Sequence, residues 1–578
     1  MTRFVTLLAS AGRGAFSLGW WSLLALLLLV APLARAQAPA WEMALAVPHA
    51  SSGYSQVDAV AAAPNGDVYL AGTFNTSVSF GSTTLYNYSG VGADIFVAKW
   101  SRTTGQFAWV QQAGGIATDG VAALAVSGTN LYLTGSTGSP TARFGPHVLA
   151  SNPGAWSGCY LAKLVDAGNS GSFSWAQQMN GQLTALAVAD TTLYAAGEFS
   201  GTKQFGNAML TSNSFSSDVL VLKLLESGSG AAVVWAQQAG GTSEEACTAL
   251  AVAGSSVYVA GAFYSSSAPF GSTTLTSRGG SDAYVAKLTD AGTSSSFAWA
   301  QQVGSQSNDW ALALAVQDSS VYVAGSFEGS VAQAGSIALP NAGGWPNQDA
   351  YVAKLTDAGS FVWAQRAGGT ADERPQALLL DGSTIYLVGY FNSSASAFGI
   401  TTLTNTNSRY TDDLFVARLM DSGPISQFTW AQYAGGVGND RATAACLSGG
   451  AVYVGGYVEG NAQFSALPVA GPASMHAACL ASFTPRVLAT ATALLLPGSL
   501  YPNPARTMAT VQLPPVPGAA TATLALLDAL GRVVRTTAVA LPPDGLRHEL
   551  DLRGVPAGLY AVRVAAGGRT ATQRLVVE

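Results

Sequence analysis

Starting at Trp235, the chain writes VVWAQQ, then TALAVAG, SVYVAGAF, a Gly/Ser/Thr-rich stretch containing PFGSTTLTS, and DAYVAKL, before FAWAQQ opens the series again. Apolar runs of about five to eight residues, rich in β-branched and aromatic side chains and bounded by turn residues, have the pattern of strands. Each unit therefore predicts four strands in one antiparallel sheet, with Gly, Ser and Asn between them. The motif tryptophans stand at Trp41, Trp109, Trp175, Trp235, Trp299, Trp363 and Trp430. A tyrosine recurs in the second strand at Tyr69, Tyr132, Tyr194, Tyr258, Tyr322, Tyr386 and Tyr453. The third strand ends in Lys99, Lys163, Lys223, Lys287, Lys354, Arg418 and, degenerately, Ser482. Each series counts seven.

Side chains alternate faces along a strand. In FAWAQQ, this puts Phe297, Trp299 and Gln301 on one side and Ala298, Ala300 and Gln302 on the other. A bulky face laid into the thin face of a neighbouring sheet is the packing of a radial stack, where burying each Trp or Phe contributes roughly 1.5–3 kcal/mol. The expected fold is all-β, a seven-bladed β-propeller over 37–487. The repeat region begins with a fourth-type strand (WEMALAV) and ends with a third-type strand at Cys479–Phe483, so the first strand is expected to complete the last blade. An open solenoid would want capping repeats, and none is visible. The Gly-Gly, acid, ALAV, VYVAG and DAYVAKL succession resembles the SBBP-type β-propeller repeat. That resemblance implies a fold and little about a ligand.

Composition changes the picture in one direction. Only 10% of the 578 residues are charged, glycine reaches 65, and the formal net charge is −6 without a basic cluster. Nucleic acid is excluded as a partner, because such binding rests on Lys and Arg neutralising phosphates. Arg3 and Arg13, the apolar run Leu18–Val30 and Ala34-Arg35-Ala36 read as a signal peptide over 1–36, with Gln37 as the mature N-terminus. The apolar run is short for crossing a bilayer, which takes about 20 residues. Cys159, Cys247, Cys446 and Cys479 have no metal or disulfide spacing and are expected as small buried hydrophobes.

After Phe483 the composition shifts. A linker at 488–498 leads to short alternating runs over 499–578 that predict a small Ig-like β-sandwich. Tyr501-Pro502-Asn503-Pro504, then Gly531 within LDALGRVV, then Gly558 and Tyr560 within PAGLY, and the final LVV resemble the type A C-terminal sorting domain of the type IX secretion system. Arg574 stands where a lysine is commoner. The resemblance implies the secretion machinery as partner, a Bacteroidota-type source, translocation across the outer membrane, and release or attachment at the cell surface.

Groups for catalysis are scarce. The histidines His49, His147, His476 and His548 follow no zinc spacing, and no nucleophile elbow, P-loop or dinucleotide fingerprint stands in context. No enzyme and no cofactor is expected, although one acid set raises calcium. Asp119, Glu245, Asp309, Glu373 and Asp440 stand ten residues after their tryptophans, with Asp58 a counterpart in the first unit and Ala185 breaking the pattern in the third. As a ring at a channel mouth they suit calcium or a cationic group; otherwise each accepts backbone N–H bonds in its own turn. A second set, Asp94, Asp218, Asp282, Asp349 and Asp413, opens the third strand and reads as strand-end capping. Trp156, Trp310 and Trp345, read as loop aromatics outside the repeat, are candidates for stacking on sugars. The function expected is non-covalent recognition of a polysaccharide or surface protein. The alternatives are a structural adhesion component, or a glycan hydrolase or lyase, which needs a close carboxylate pair in unequal environments.

Overall fold

Strands form where the sequence reads apolar, and the fully buried ones are the second and third of each unit. In the fourth unit, Ser256–Phe263 and Asp282–Asp290 lie between Glu245–Ala253 and Ser295–Gly304, all antiparallel. The structure, a computed structural model, describes residues 37–50, 52–89, 92–150, 158–213, 216–405, 411–472, 475–485, 499–516, 519–528, 532–542, 544–566 and 569–578. Signal segment 1–36 and linker 488–498 lie outside the described residues. The described residues are all-β and contain no helix. They divide into two compact units between Thr484 and Pro485.

In the first unit seven such four-stranded sheets follow one another. Their first strands are Ser55–Ala62, Asp119–Ser127, Gln182–Ala189, Glu245–Ala253, Asp309–Gln317, Glu373–Asp381 and Arg441–Ser448. Each first strand lies against that of the next sheet, and the seventh lies against the first. The seventh sheet takes its outer strand from the other end of the unit: Met43–Ala46 pairs with His476–Phe483, with Met43 opposite Ser482. The segment that lengthens each unit is a hairpin between the second and third strands, as in Ser267–Phe270 with Thr273–Thr276. Four of the seven hairpins also pair with the fourth strand of the preceding sheet.

Two expectations about the motif strand need correction. A β-bulge follows Lys287, so Trp299 pairs with Lys287 while Phe297 pairs with Leu288. The extra residue breaks the alternation, and the two aromatics face opposite sides of the sheet. Phe297 packs with Phe270 and Tyr284 towards the third sheet, and Trp299 with Tyr258 and Phe361 towards the fifth. Both faces are therefore bulky. The same register shows that Trp41 is not the seventh motif tryptophan. Met43, opposite Ser482, holds that position, and Trp41 sits two residues earlier, packing edge-on against Phe464 and Phe483. A second bulge, in the first strand after Cys247, brings a carbonyl so close to Gly261 that a Cβ there would lie 2.0 Å from Ala246 O. This close approach requires the glycine of VAG.

Packing alone does not explain why Trp, Tyr and Lys recur together. At one end of each of five seams all three donate to a single acid of the next sheet. Asp290 accepts from Lys223 Nζ at 2.6 Å, Tyr194 Oη at 2.7 Å and Trp235 Nε1 at 3.0 Å. Asp166 takes Lys99, Tyr69 and Trp109 in the same way, and Asp421 takes Lys354, Tyr322 and Trp363. Glu226 and Asp357 complete the set, although Trp299 donates to the Asp357 backbone carbonyl. The signal was in the sequence: an acid stands three residues after the third-strand cation in sheets two to six, as in KLVD, KLLE and KLTD. The first sheet has Arg102 at that place and the seventh has Pro485. The two seams of the seventh sheet thus lack an acceptor.

The second unit holds a three-stranded sheet, Ser499–Tyr501, Met508–Leu513 and Leu546–Asp551, and a four-stranded one, Val533–Ala540, Thr521–Leu527, Gly558–Ala566 and Arg569–Val577. One apolar cluster, including Val511, Leu526, Leu550 and Val562, joins them.

The clamp makes a graded prediction. The Asp290 side chain is 6% exposed and that of Asp357 45%. Asp290→Ala leaves Lys223 without its partner in a buried site and costs about 3–5 kcal/mol. Asp357→Ala costs about 1 kcal/mol or less, because a carboxylate that water already reaches attracts its partners less strongly. Urea midpoints at constant m-value read the difference, and equal shifts would show that burial of the acceptor does not set the strength of the clamp.

Candidate functional site

The opposite ends of the seams bring the two acid sets together. Asp94 meets Asp119, Asp218 meets Glu245, Asp282 meets Asp309, Asp349 meets Glu373, and Asp413 meets Asp440. The expected ring at a mouth takes another form: each of Asp119, Glu245, Asp309, Glu373 and Asp440 is 0% exposed inside its own seam. Gly115, Gly241 and Gly369 donate backbone N–H bonds to Asp119, Glu245 and Glu373 at 2.7, 2.8 and 2.9 Å. Ser139 adds its hydroxyl at 2.7 Å from Asp119. In the fifth sheet the serine has moved across: Ser305 stands at the glycine position and bonds Asp309 through N–H and hydroxyl, while Gly329 stands at the place of Ser139. The second set also caps loops, as when Tyr88 and Ala342 donate their N–H to Asp94 and Asp349.

These pairs explain the first glycine of WAQQAGG. A Cβ on Gly240 would lie 2.7 Å from both Asp218 Oδ1 and Glu245 Oε2. In all five pairs Oδ1 of the second-set aspartate is buried without a hydrogen-bond partner. Two neighbouring buried carboxyls resist ionising together. Burial, and then the neighbouring carboxylate, push Asp218 up to about 6; burial pushes Asp309, Asp413 and Asp440 up to about 7 and Glu373 to about 8. Among the described residues, no three His, Cys, Asp or Glu side chains gather as metal ligands.

Register also corrects two assignments. Asp58 is the bulged residue of its strand, accepting from Gln56 and Thr73, and Ser55 holds the acid's position in the first sheet. In the third sheet that position is Gly181 rather than Ala185. Its partner position, at the start of the second sheet's third strand, is Gly158. One seam has thus lost both acids to glycine, and there a cleft of about 270 Å³ opens, lined by Gly158, Gly181, Gln182 and Glu198 among others. The seam between the seventh and first sheets also lacks acids, with Ala477 and Ser55, but it is filled: Ala478 N–H donates to Ser55 Oγ at 3.0 Å and Ser79 N–H to Pro48 O at 2.8 Å.

The cross-strand pair beside each seam divides the sheets into two groups. Sheets one to four carry Gln56/Thr73, Gly120/Ser136, Gln182/Glu198 and Ala246/Ala262. Sheets five to seven carry Trp310/Ser326, Arg374/Tyr390 and Arg441/Tyr457. Here the side chains cover one another: Arg374 lies 5.6 Å from the Trp310 ring, Arg441 4.3 Å from Tyr390, and His476 stacks on Tyr457 at 4.1 Å. Trp310 is therefore a strand residue facing an arginine, not a loop aromatic. Trp345 does lie in a loop and is 72% exposed. Trp156 lies outside the described residues. All four cysteines are buried.

In the second unit the YPNP motif ties down the last strand. Asn503 Nδ2 donates to Arg574 O at 2.6 Å, and Val576 N–H donates to Asn503 Oδ1 at 2.9 Å. Tyr560 Oη donates to Pro556 O at 2.8 Å, just where the strand begins at Gly558. Tyr501 reaches Gln512 at 3.2 Å, and Gly531 lies outside the described residues.

Residues 499–578 match a family model described as a secretion system C-terminal sorting domain. This segment is a sorting domain. It indicates export through the type IX secretion system, to the cell surface or the extracellular space. No curated protein matches the chain. Among solved structures, a crystal structure of a protein of unknown function from Dyadobacter fermentans DSM 18053 is similar at 11% identity, covering 76% of this chain and 98% of that one. Its TM-score of 0.33 carries no argument.

The two kinds of buried acid give opposite pH dependences. Pair carboxyls have folded values above the unfolded value of about 4, so their contribution is complete below that value and is lost as pH rises through 6 to 8. The clamp acids behave in reverse. Burial raises Asp290, but Lys223, Tyr194 and Trp235 outweigh it and hold the carboxyl below its ordinary value, so its contribution is lost as pH falls. The melting temperature is expected to peak near pH 5 and to fall by pH 8.5, and Glu373→Gln should flatten the alkaline limb. An alkaline limb unchanged in Glu373→Gln would show that this pair does not carry the proton.

Proposed function

We propose that this chain is an exported binding protein: a seven-bladed β-propeller of the SBBP-repeat type, carried out by the type IX machinery on an Ig-like sorting domain, that recognises a polysaccharide or a surface protein without covalent chemistry. The sorting-domain match at 499–578 carries the export part of the reading. The cyclic order of first strands, and a seventh sheet built from both ends of the unit, support the propeller. The reading as a binding protein rather than an enzyme rests on access. The five acid pairs of the seams, the repeated carboxylate pairs of the described residues, are buried out of reach of a substrate.

Two experiments test the parts separately. Deleting 499–578 should leave the protein cell-associated, whereas the full chain reaches the surface or medium; equal export on fractionation would remove the sorting domain from the route. A glycan and polysaccharide array probed with residues 37–578, in calcium and again in chelator, should give saturable binding without turnover. Binding lost with the chelator would assign a cation to the site, turnover would assign an enzyme, and an empty array would move the weight to protein partners or a structural surface role.

A further inference from the structure

The cleft between the second and third sheets stands where the repeat departs from its own rule for no packing reason. Five seams fill this space with two carboxyls and their donors, serine or glycine in four and the Glu459 N–H at Asp440 in the fifth, and the seam between the seventh and first sheets fills it with Ser55 and the N-terminal segment. Here Gly158 and Gly181 leave it open. The hairpin above, Thr202–Phe205 with Ala208–Thr211, stays a separate two-stranded sheet and does not ladder onto the preceding fourth strand as four others do. An empty seam costs dispersion contacts and hydrophobic burial, so its retention in one seam calls for an occupant.

We infer that this cleft binds one residue of a neutral, hydroxyl-rich glycan. The reasoning rests on the proposed binding function and gives it a location. The lining side chains Gln178, Asn180, Gln182, Ser200, Glu198 and Lys203 include amides and a hydroxyl, which both donate and accept as sugar hydroxyls require. One carboxylate and one ammonium leave the lining without net charge, so a neutral ligand is matched better than an ion. No described residue donates a hydrogen bond to Glu198, and burial together with Glu244 raises its carboxyl. A polar group left in that state gains from a ligand hydroxyl. The volume of about 270 Å³ lies just below the range of drug-sized ligand sites, which suits a single sugar unit of a longer chain. Trp310, Arg374 and Arg441 cover sheets five to seven, whereas the pairs beside this cleft, Gly120/Ser136 and Gln182/Glu198, carry no aromatic or arginine cover.

The test is saturation-transfer NMR on residues 37–578 with free glucose, galactose, mannose and N-acetylglucosamine and their neutral di- to tetrasaccharides, with glucuronic acid and glucosamine as charged counterparts. Wild type is expected to take up a neutral sugar. Binding should weaken at least tenfold in Gly158→Asp, which restores the acid of the repeat, and in Glu198→Gln with Lys203→Ala, which alters only partly exposed side chains and keeps the test open if the first variant is destabilised. Neutral-sugar binding that survives both cleft variants would overturn the site while leaving the binding function intact. Preference for the charged sugars would overturn the ligand class. If no sugar here and no glycan on the array binds, the site and the polysaccharide form of the binding reading both fall.

Discussion

The seven-sheet unit depends on one arrangement: a carboxylate of one sheet held by the ammonium, phenol and indole of the sheet before it. Burying a carboxylate is costly, and only several well-aimed donors offset that cost. Asp290 receives three, from Lys223, Tyr194 and Trp235. Because the donors come from three adjacent strands, a single acid fixes the position of the whole neighbouring sheet. Such a contact is directional, whereas the apolar seams around it tolerate sliding. It also explains why the repeat keeps tryptophan where phenylalanine would bury similar area: Phe has no N–H.

The same third strand carries the opposite demand at its other end. In Asp282–Asp290, Asp282 belongs to a dry acid pair, Lys287 donates to the next sheet, and Asp290 accepts from the previous one. Ionisation stabilises one end and protonation the other. The seventh sheet stands outside half of this scheme, since Ser482 and Met43 replace the donors and Arg102 stands where the first sheet would need an acid. Neutral contacts join that seam: Thr443 Oγ1 reaches Val57 O, and Ser448 Oγ donates to Asp67 O at 3.0 Å. These bonds link residues more than 380 positions apart, so the entropy of closing a long loop falls on the seam with the fewest charged contacts.

Periodicity made the strands and their order legible, because a pattern repeated seven times averages out local accident. Register was not legible. A bulge adds one residue without changing composition, so Phe297 and Trp299 read as same-face neighbours and are not. Trp41 was mistaken for a motif residue because indole bulk suits either position; only the pairing of Met43 with Ser482 separates them. The two acid sets were visible as sets, but about 25 residues separate their members, and nothing in a one-dimensional spacing says that Asp94 meets Asp119. The clamp acids, three residues after each cation, were visible too, and their meaning depends on a neighbouring sheet that the local pattern does not describe. The sorting domain was the most legible part, since its motif residues themselves make the holding contacts, as Asn503 does on the last strand.

In a repeat protein, sameness reports packing, and departures from it report either a defect that the fold tolerates or a selected use. The two can be told apart by what the neighbours do. Where Asp309 lost its serine at position 329, Ser305 supplied the hydroxyl from the other side, so the seam kept its chemistry. Where the seam between the seventh and first sheets lost both acids, Ser55 and the N-terminal segment closed it. Between the second and third sheets the described residues restore no buried acid: both positions are glycine, Leu183 N–H reaches Cys159 Sγ and Asn180 reaches Gln204 O around the gap rather than across it, and no described residue donates to the Glu198 carboxyl at its edge. An uncompensated departure lined by polar groups is what a binding site built from a packing motif should look like, and it is why this seam, rather than the more numerous acid pairs, carries the functional inference.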